Sequence, residues 1–121
     1  MNSQESKEIQ IPQTLDQAVA HVKEKIAKFV KEEFAKGKNE NEIANSMHFG
    51  LGKFIRNHWG LWSGDSLLFK ELSSLGLFHA DDMSSLVLKC AVLDLNNKDR
   101  DVSGIVNHYR EYWKNVNTKK N

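Results

Sequence analysis

The chain reads as an all-α protein, a compact single domain of about five helices. Two observations predict this. Apolar residues recur at steps of three and four in successive stretches, and no stretch alternates apolar and polar residues over a strand's length. The stretches are also bounded by small polar residues and glycines where helices start and stop. At 121 residues the chain has the length of one domain, able to bury one core.

Residues 1–11 are polar and without helical period, so a flexible N-terminal arm is expected, followed by a helical domain over 12–116 and a frayed tail over 117–121. Thr14 and Gln17 have the form of a capping box, and Leu15, Ala18, Val19, Val22, Ile26, Phe29, Val30 and Phe34 share one face of the helix beyond it. Gly37 stands where a C-terminal cap is wanted, so the helix is expected over 15–36. Asn39 with Glu42 repeats the capping pattern and opens a second helix, expected to run near 40–59 and to be central to the fold. On that helix Ile43, Met47, Leu51, Phe54, Ile55 and His58 fall in one arc, taken as the core face. Gly50 and Gly52 each cost a helix about 1 kcal/mol relative to alanine, which points to a local break or a close crossing of another backbone.

Gly60–Gly64 predicts a turn, and Asp65 is expected to cap a short helix through Leu67, Leu68, Phe69 and Leu72 that stops at Gly76. A fourth helix is expected from Asp81 or Asp82, with Met83, Leu86, Val87, Cys90 and Leu93 facing the core. After a polar loop over 96–100, Asp101 is expected to cap a last helix whose face is Val102, Ile105, Val106, Tyr109, Trp113 and Val116.

Composition narrows the function classes. Seventeen basic residues against sixteen acidic ones leave a formal net charge of +1, without the basic excess or stripe of a duplex binder, so no nucleic-acid partner is expected. The lysines along 23–38 are interleaved with Glu24, Glu32 and Glu33, as on a solvated helix face. No stretch approaches the length of an apolar membrane span, and the N-terminus lacks the apolar core of a signal peptide. The lone cysteine, Cys90, sits in an apolar run and cannot form an internal disulfide. A cytoplasmic location is expected.

The richest segment is 47–65. Its second arc carries His48, Phe49, Gly52, Arg56 and Trp59, with Asn57 and Trp62 nearby. One reading is a pocket in which tryptophan stacks a flat ring and Arg56 grips a phosphate or carboxylate. The other makes Trp59 and Trp62 core anchors, with Arg56 bound to Asp81, Asp82 or the carbonyls of a helix end. Downstream, His79, Asp81 and Asp82 could ligate a metal or do acid–base work. That spacing has no ligand signature, and first-turn carboxylates are favoured by free N–H groups and the helix dipole, so no metal site is expected.

Catalytic patterns are lacking. No serine lies in a G-x-S-x-G elbow, GLGKF lacks P-loop spacing, and no H-x-E deaminase pattern occurs. The last helix groups Tyr109, Tyr112 and Trp113 with His108 and Arg110. These residue types are common at binding hot spots, but Tyr109 and Trp113 are expected to pack inward with Tyr112 on the rim. If this helix packs less completely than the others, its outer side is the candidate face for a homo-oligomer.

The run HFGLGKFIRNHWGLWSGD, followed by LGLFHADDMSSLVL, resembles a bacterial family of small domains of unknown function with an H-F-G-L-G-x-x-I-R-N-x-W-G-L-W core and a downstream H-x-D-D-M segment. The matching positions are His48, Phe49, Gly50, Leu51, Gly52, Ile55, Arg56, Asn57, Trp59, Gly60, Leu61 and Trp62, then His79, Asp81, Asp82 and Met83. The resemblance spans roughly 12–95. It implies a helical domain in which the two segments form one spatial unit, and it carries no catalytic roles. The functional expectation is a non-catalytic cytoplasmic protein that engages another protein, in the manner of an immunity or counter-defence factor. The alternative is a binder of a nucleotide-like or anionic metabolite. A hydrolytic or metal-dependent enzyme using His79, Asp81 and Asp82 stands third. The candidate binding residues are His48, Arg56, Asn57, Trp59, Trp62, His79, Asp81 and Asp82, with no cofactor.

Overall fold

Several helices here begin where a side-chain oxygen accepts from a free backbone N–H, and several end where glycine or asparagine turns left-handed. The computed structural model describes the backbone of residues 11–120 and the side chains of residues 11–116. The arm expected over 1–11 lies outside them but for Ile11, and of the tail expected over 117–121 only the helical backbone to Lys120 is described. Among the described residues the elements are α1 (Leu15–Ala35), α2 (Glu40–Ser46), a π-helical turn (His48–Gly52), α3 (Lys53–His58), α4 (Leu67–Ser74), α5 (Ala80–Leu95) and α6 (Val102–Lys120), with no strand. The sixth helix arises because the expected 40–59 helix is divided by the π turn.

The caps obey local chemistry, with two shifts. Thr14 Oγ1 accepts from the Gln17 N–H at 3.1 Å, but the Gln17 side chain returns to the N–H of Gln13, one residue early. The Leu15 N–H instead donates to the Glu71 carboxylate, which reaches across from α4. At α2 the reciprocal Asn39–Glu42 box is complete, both bonds at 2.9 Å. Ser66, rather than Asp65, caps α4 by accepting from the Phe69 N–H at 3.0 Å. His79 stands at the N-cap of α5 without a side-chain bond, so Asp81 and Asp82 lie inside the first turn instead of opening it. Gly37, Gly60 and Gly76, at φ of 91°, 73° and 111°, and Asn97 at 56° take the left-handed conformation just past helix ends.

The hub is α5, whereas the sequence pointed to 40–59. The reason is that α5 is apolar nearly all round: Met83, Leu86, Val87, Leu88, Cys90, Ala91 and Val92 are all buried, and such a helix has to be enclosed by its neighbours. Against it lie α1, α2, the π turn, α3 and α6. The buried face of α1 carries Ala18, Val19, Val22, Ile26 and Val30. Each fully buried Val, Leu or Ile side chain is worth about 1.5–3 kcal/mol.

The π turn changes which side of the 40–59 segment meets α5. Its buried positions run Ile43, Ala44, Met47, then Gly52, Ile55, Arg56 and Trp59. The step from 47 to 52 is five residues, and the Gly52 N–H donates to the Met47 carbonyl at 2.8 Å across that same interval. One extra residue rotates all of α3 by about 100° about the helix axis. Phe54 and His58, expected inside, are therefore exposed, while Gly52, Arg56 and Trp59 turn inward. On α1, Phe29 also faces out, and Glu33 is buried under Lys36 and Lys38 at 2.9 and 2.8 Å.

Candidate functional site

Only 6% of Arg56 is exposed, and a buried guanidinium needs acceptors on every side. The π turn and α5 supply them. Nη1 donates to Ser84 Oγ at 2.9 Å, Nη2 to the His48 carbonyl at 3.2 Å, and Nε faces Asp81 Oδ1 at 3.2 Å. The Ser84 hydroxyl in turn donates to the Asp81 carbonyl at 3.0 Å. Arg56 therefore fastens the π turn to the first turn of α5, and all three of its nitrogens are engaged by the protein. Gly52 packs directly against it: a Cβ there would lie 3.0 Å from Nη1. Ser84 is the member of this set that sequence reasoning missed, since a lone serine in an apolar helix carries no pattern of its own.

The two central tryptophans part company. Trp59 is 4% exposed and meets the His21 ring edge-on at 5.5 Å, so it anchors the core. Trp62 is 64% exposed, and its Nε1 donates to Asn57 Oδ1 at 2.8 Å. That bond holds an indole in water. Phe49 is 84% exposed and lies edge-on to His48 at 5.0 Å, and exposed Phe54 packs on His58 at 4.5 Å. The side of the π turn and α3 opposite Gly52, Ile55, Arg56 and Trp59 thus carries Phe49, Phe54, Asn57 and His58, and Asn57 adds Trp62 to it.

The residues of the second segment are also divided. Asp81 faces Arg56, whereas Asp82 Oδ2 accepts from Trp113 Nε1 at 2.8 Å and the His79 ring stacks on Trp113 at 3.9 Å with 20° between planes. Successive helix positions differ by about 100°, which sends neighbouring carboxylates to different partners. Among the described residues no group of three or more His, Cys, Asp or Glu could hold a metal. Burial pushes the Cys90 thiol up to about 12, so it stays protonated and unreactive at neutral pH. No helix among the described residues is long and apolar enough to cross a membrane.

The model of one family, described as Domain of unknown function (DUF6794), matches residues 11–95. The match takes in α1 to α5, the Arg56 cluster and the exposed rings, while α6 lies beyond it. No curated protein and no solved structure matches the chain.

Proposed function

Since the chain belongs to the DUF6794 family, a domain of unknown function, we propose its role from the geometry alone: a non-catalytic cytoplasmic domain that engages another protein through the outer side of the π turn, α3 and the Gly60–Gly64 turn. The observation that carries this reading is the exposure of Phe49 and Trp62, 84% and 64%, on a segment whose opposite side is locked to α5. Large aromatic side chains are the residues most enriched at binding hot spots, and a ring already held in one orientation loses less entropy on docking. Arg56 supports the same reading from inside, because its nitrogens are taken up by Ser84, His48 and Asp81. The gripping group of an anion pocket at 48–62 is thereby committed to the fold. An immunity-like or counter-defence factor would work in this way, by covering a partner's surface.

The test is capture from the native cells with the wild-type chain and a Phe49→Ala/Trp62→Ala variant. Both side chains are exposed, so the variant should unfold within about 0.5 kcal/mol of wild type per site. It should lose the captured partner. A partner retained in full by the folded double variant would refute the proposal.

A further inference from the structure

We propose that the groove between the α4–α5 connector and α6 binds a small organic anion bearing a flat ring, with Arg110 taking the anion. The chain has three arginines, at 56, 100 and 110. Two are fully committed: Arg56 to Ser84, His48 and Asp81, and Arg100 to Asp94 at 2.9 Å and Asp16 at 2.6 Å. Arg110 makes no ion pair among the described residues, yet its head is held in place. It lies over the Phe78 ring at 6.0 Å, and it crosses Gly76 so closely that a Cβ there would come within 2.8 Å of Nη1. A guanidinium positioned by packing, with no carboxylate paired to it among the described residues, presents a planar fork suited to a carboxylate or phosphate.

The space beside it suits a ligand of that kind. The groove measures about 650 Å³ and is lined by Phe78, His79, Arg110, Glu111, Trp113 and Lys114, within the range of roughly 300–1,000 Å³ usual for small-molecule sites. Phe78 lines the groove and is 67% exposed, so it brings apolar ring surface to the site. Trp113 is fixed by His79 on its face and by Asp82 at its Nε1, so it forms a rigid wall. Glu111 and Lys114 add one charge of each sign to the groove's lining. The Arg–Trp–His set that the sequence suggested at 48–62 is thus assembled here from Arg110, Trp113 and His79. This site shares no residue with the exposed rings of the π turn and does not depend on the docking proposal.

The test tracks the indole N–H resonance of Trp113 in the full-length protein, assigned with a Trp113→Phe variant. The probes are AMP, phenyl phosphate, benzoate, inorganic phosphate and adenosine. At least one ring-bearing anion should shift the resonance saturably, and comparing benzoate with the two phosphates identifies the preferred head. Inorganic phosphate and adenosine, each lacking one half of the chemistry, should bind at least tenfold more weakly. Arg110→Gln should lose at least tenfold and Arg110→Lys less, with the buried Trp59 resonance unmoved as the sign of an intact fold. Phe78→Ala should weaken the ring-bearing anions alone. The proposal is overturned if no ring-bearing anion gives a saturable shift, if inorganic phosphate binds as well, or if folded Arg110→Gln binds like wild type.

Discussion

Replacing Gly50 and Gly52 by alanine should move stability in opposite directions. Helix propensity alone awards each change about 1 kcal/mol. At Gly50 an added Cβ meets nothing within 4 Å, so Gly50→Ala should realise about 0.5–1 kcal/mol, largely by restricting the unfolded chain. Gly52 has helical angles, φ −58° and ψ −43°, yet its Cβ would lie 3.0 Å from Arg56 Nη1, 3.4 Å from the Met47 carbonyl oxygen and 3.5 Å from Leu88 Cδ1. The guanidinium cannot swing aside freely, because Ser84, His48 and Asp81 hold it from three directions. Pushing Nη1 off Ser84 forfeits a buried charged hydrogen bond worth about 1.5–3 kcal/mol. Set against the propensity gain, the net loss is about 0.5–2 kcal/mol. In a domain of this size that lowers Tm by roughly 2–8 °C, given about 4 °C per kcal/mol, and Gly50→Ala should raise it by about 2–4 °C on the same scale. Thermal melts by circular dichroism, with urea midpoints as the second measure, read both variants. A Gly52→Ala protein melting at or above wild type would refute the claim that Arg56 is pinned against this glycine.

The same cluster predicts unequal costs for its two partners on α5. Ser84→Ala strands a buried nitrogen of Arg56 and should cost about 1–3 kcal/mol in urea unfolding. Asp81→Ala should cost no more than about 1 kcal/mol, because more than half of that side chain is in water; equal losses for the two would count against the assignment. Acid stability should depend on Asp94. The hydrogen bond from Arg100, aided by Lys23, holds its carboxyl below the ordinary value of 3.8 against the opposing effect of burial. The native state then binds this proton less readily than the unfolded chain. Its contribution is complete above the ordinary carboxylate value and disappears as pH falls through the lower native one. Urea midpoints measured from neutral to acid pH should therefore fall less steeply in Asp94→Asn than in wild type, and parallel profiles would contradict the pairing.

Much of the fold is written in short-range pattern. The steps of three and four from Leu15 to Val30, the Asn39–Glu42 box and the glycines at 37, 60 and 76 specify α1, the start of α2 and three helix ends, because each acts on neighbours within one turn of chain. The candidate site was readable only in part. Its residue types stood out at 47–65, and a carboxylate for Arg56 was among the readings, but the side each residue would face was not. Helical phase carried across Gly50–Gly52 places Phe54 and His58 inside, and it fails because the π turn adds a residue that no local rule demands. With that residue in place Gly52 packs on Leu88 and Arg56 reaches Ser84, and contact with a helix some thirty positions downstream is invisible to periodicity. Likewise, nothing near Leu15 announces that Glu71 will cap it, and nothing within its own helix announces that Arg110 will lie over Phe78 and against Gly76. The sequence by itself determined where helices form, since capping and propensity are settled within a turn. The tertiary structure decided which aromatic rings are core and which stand in water, because burial belongs to the packed neighbours and not to the residue.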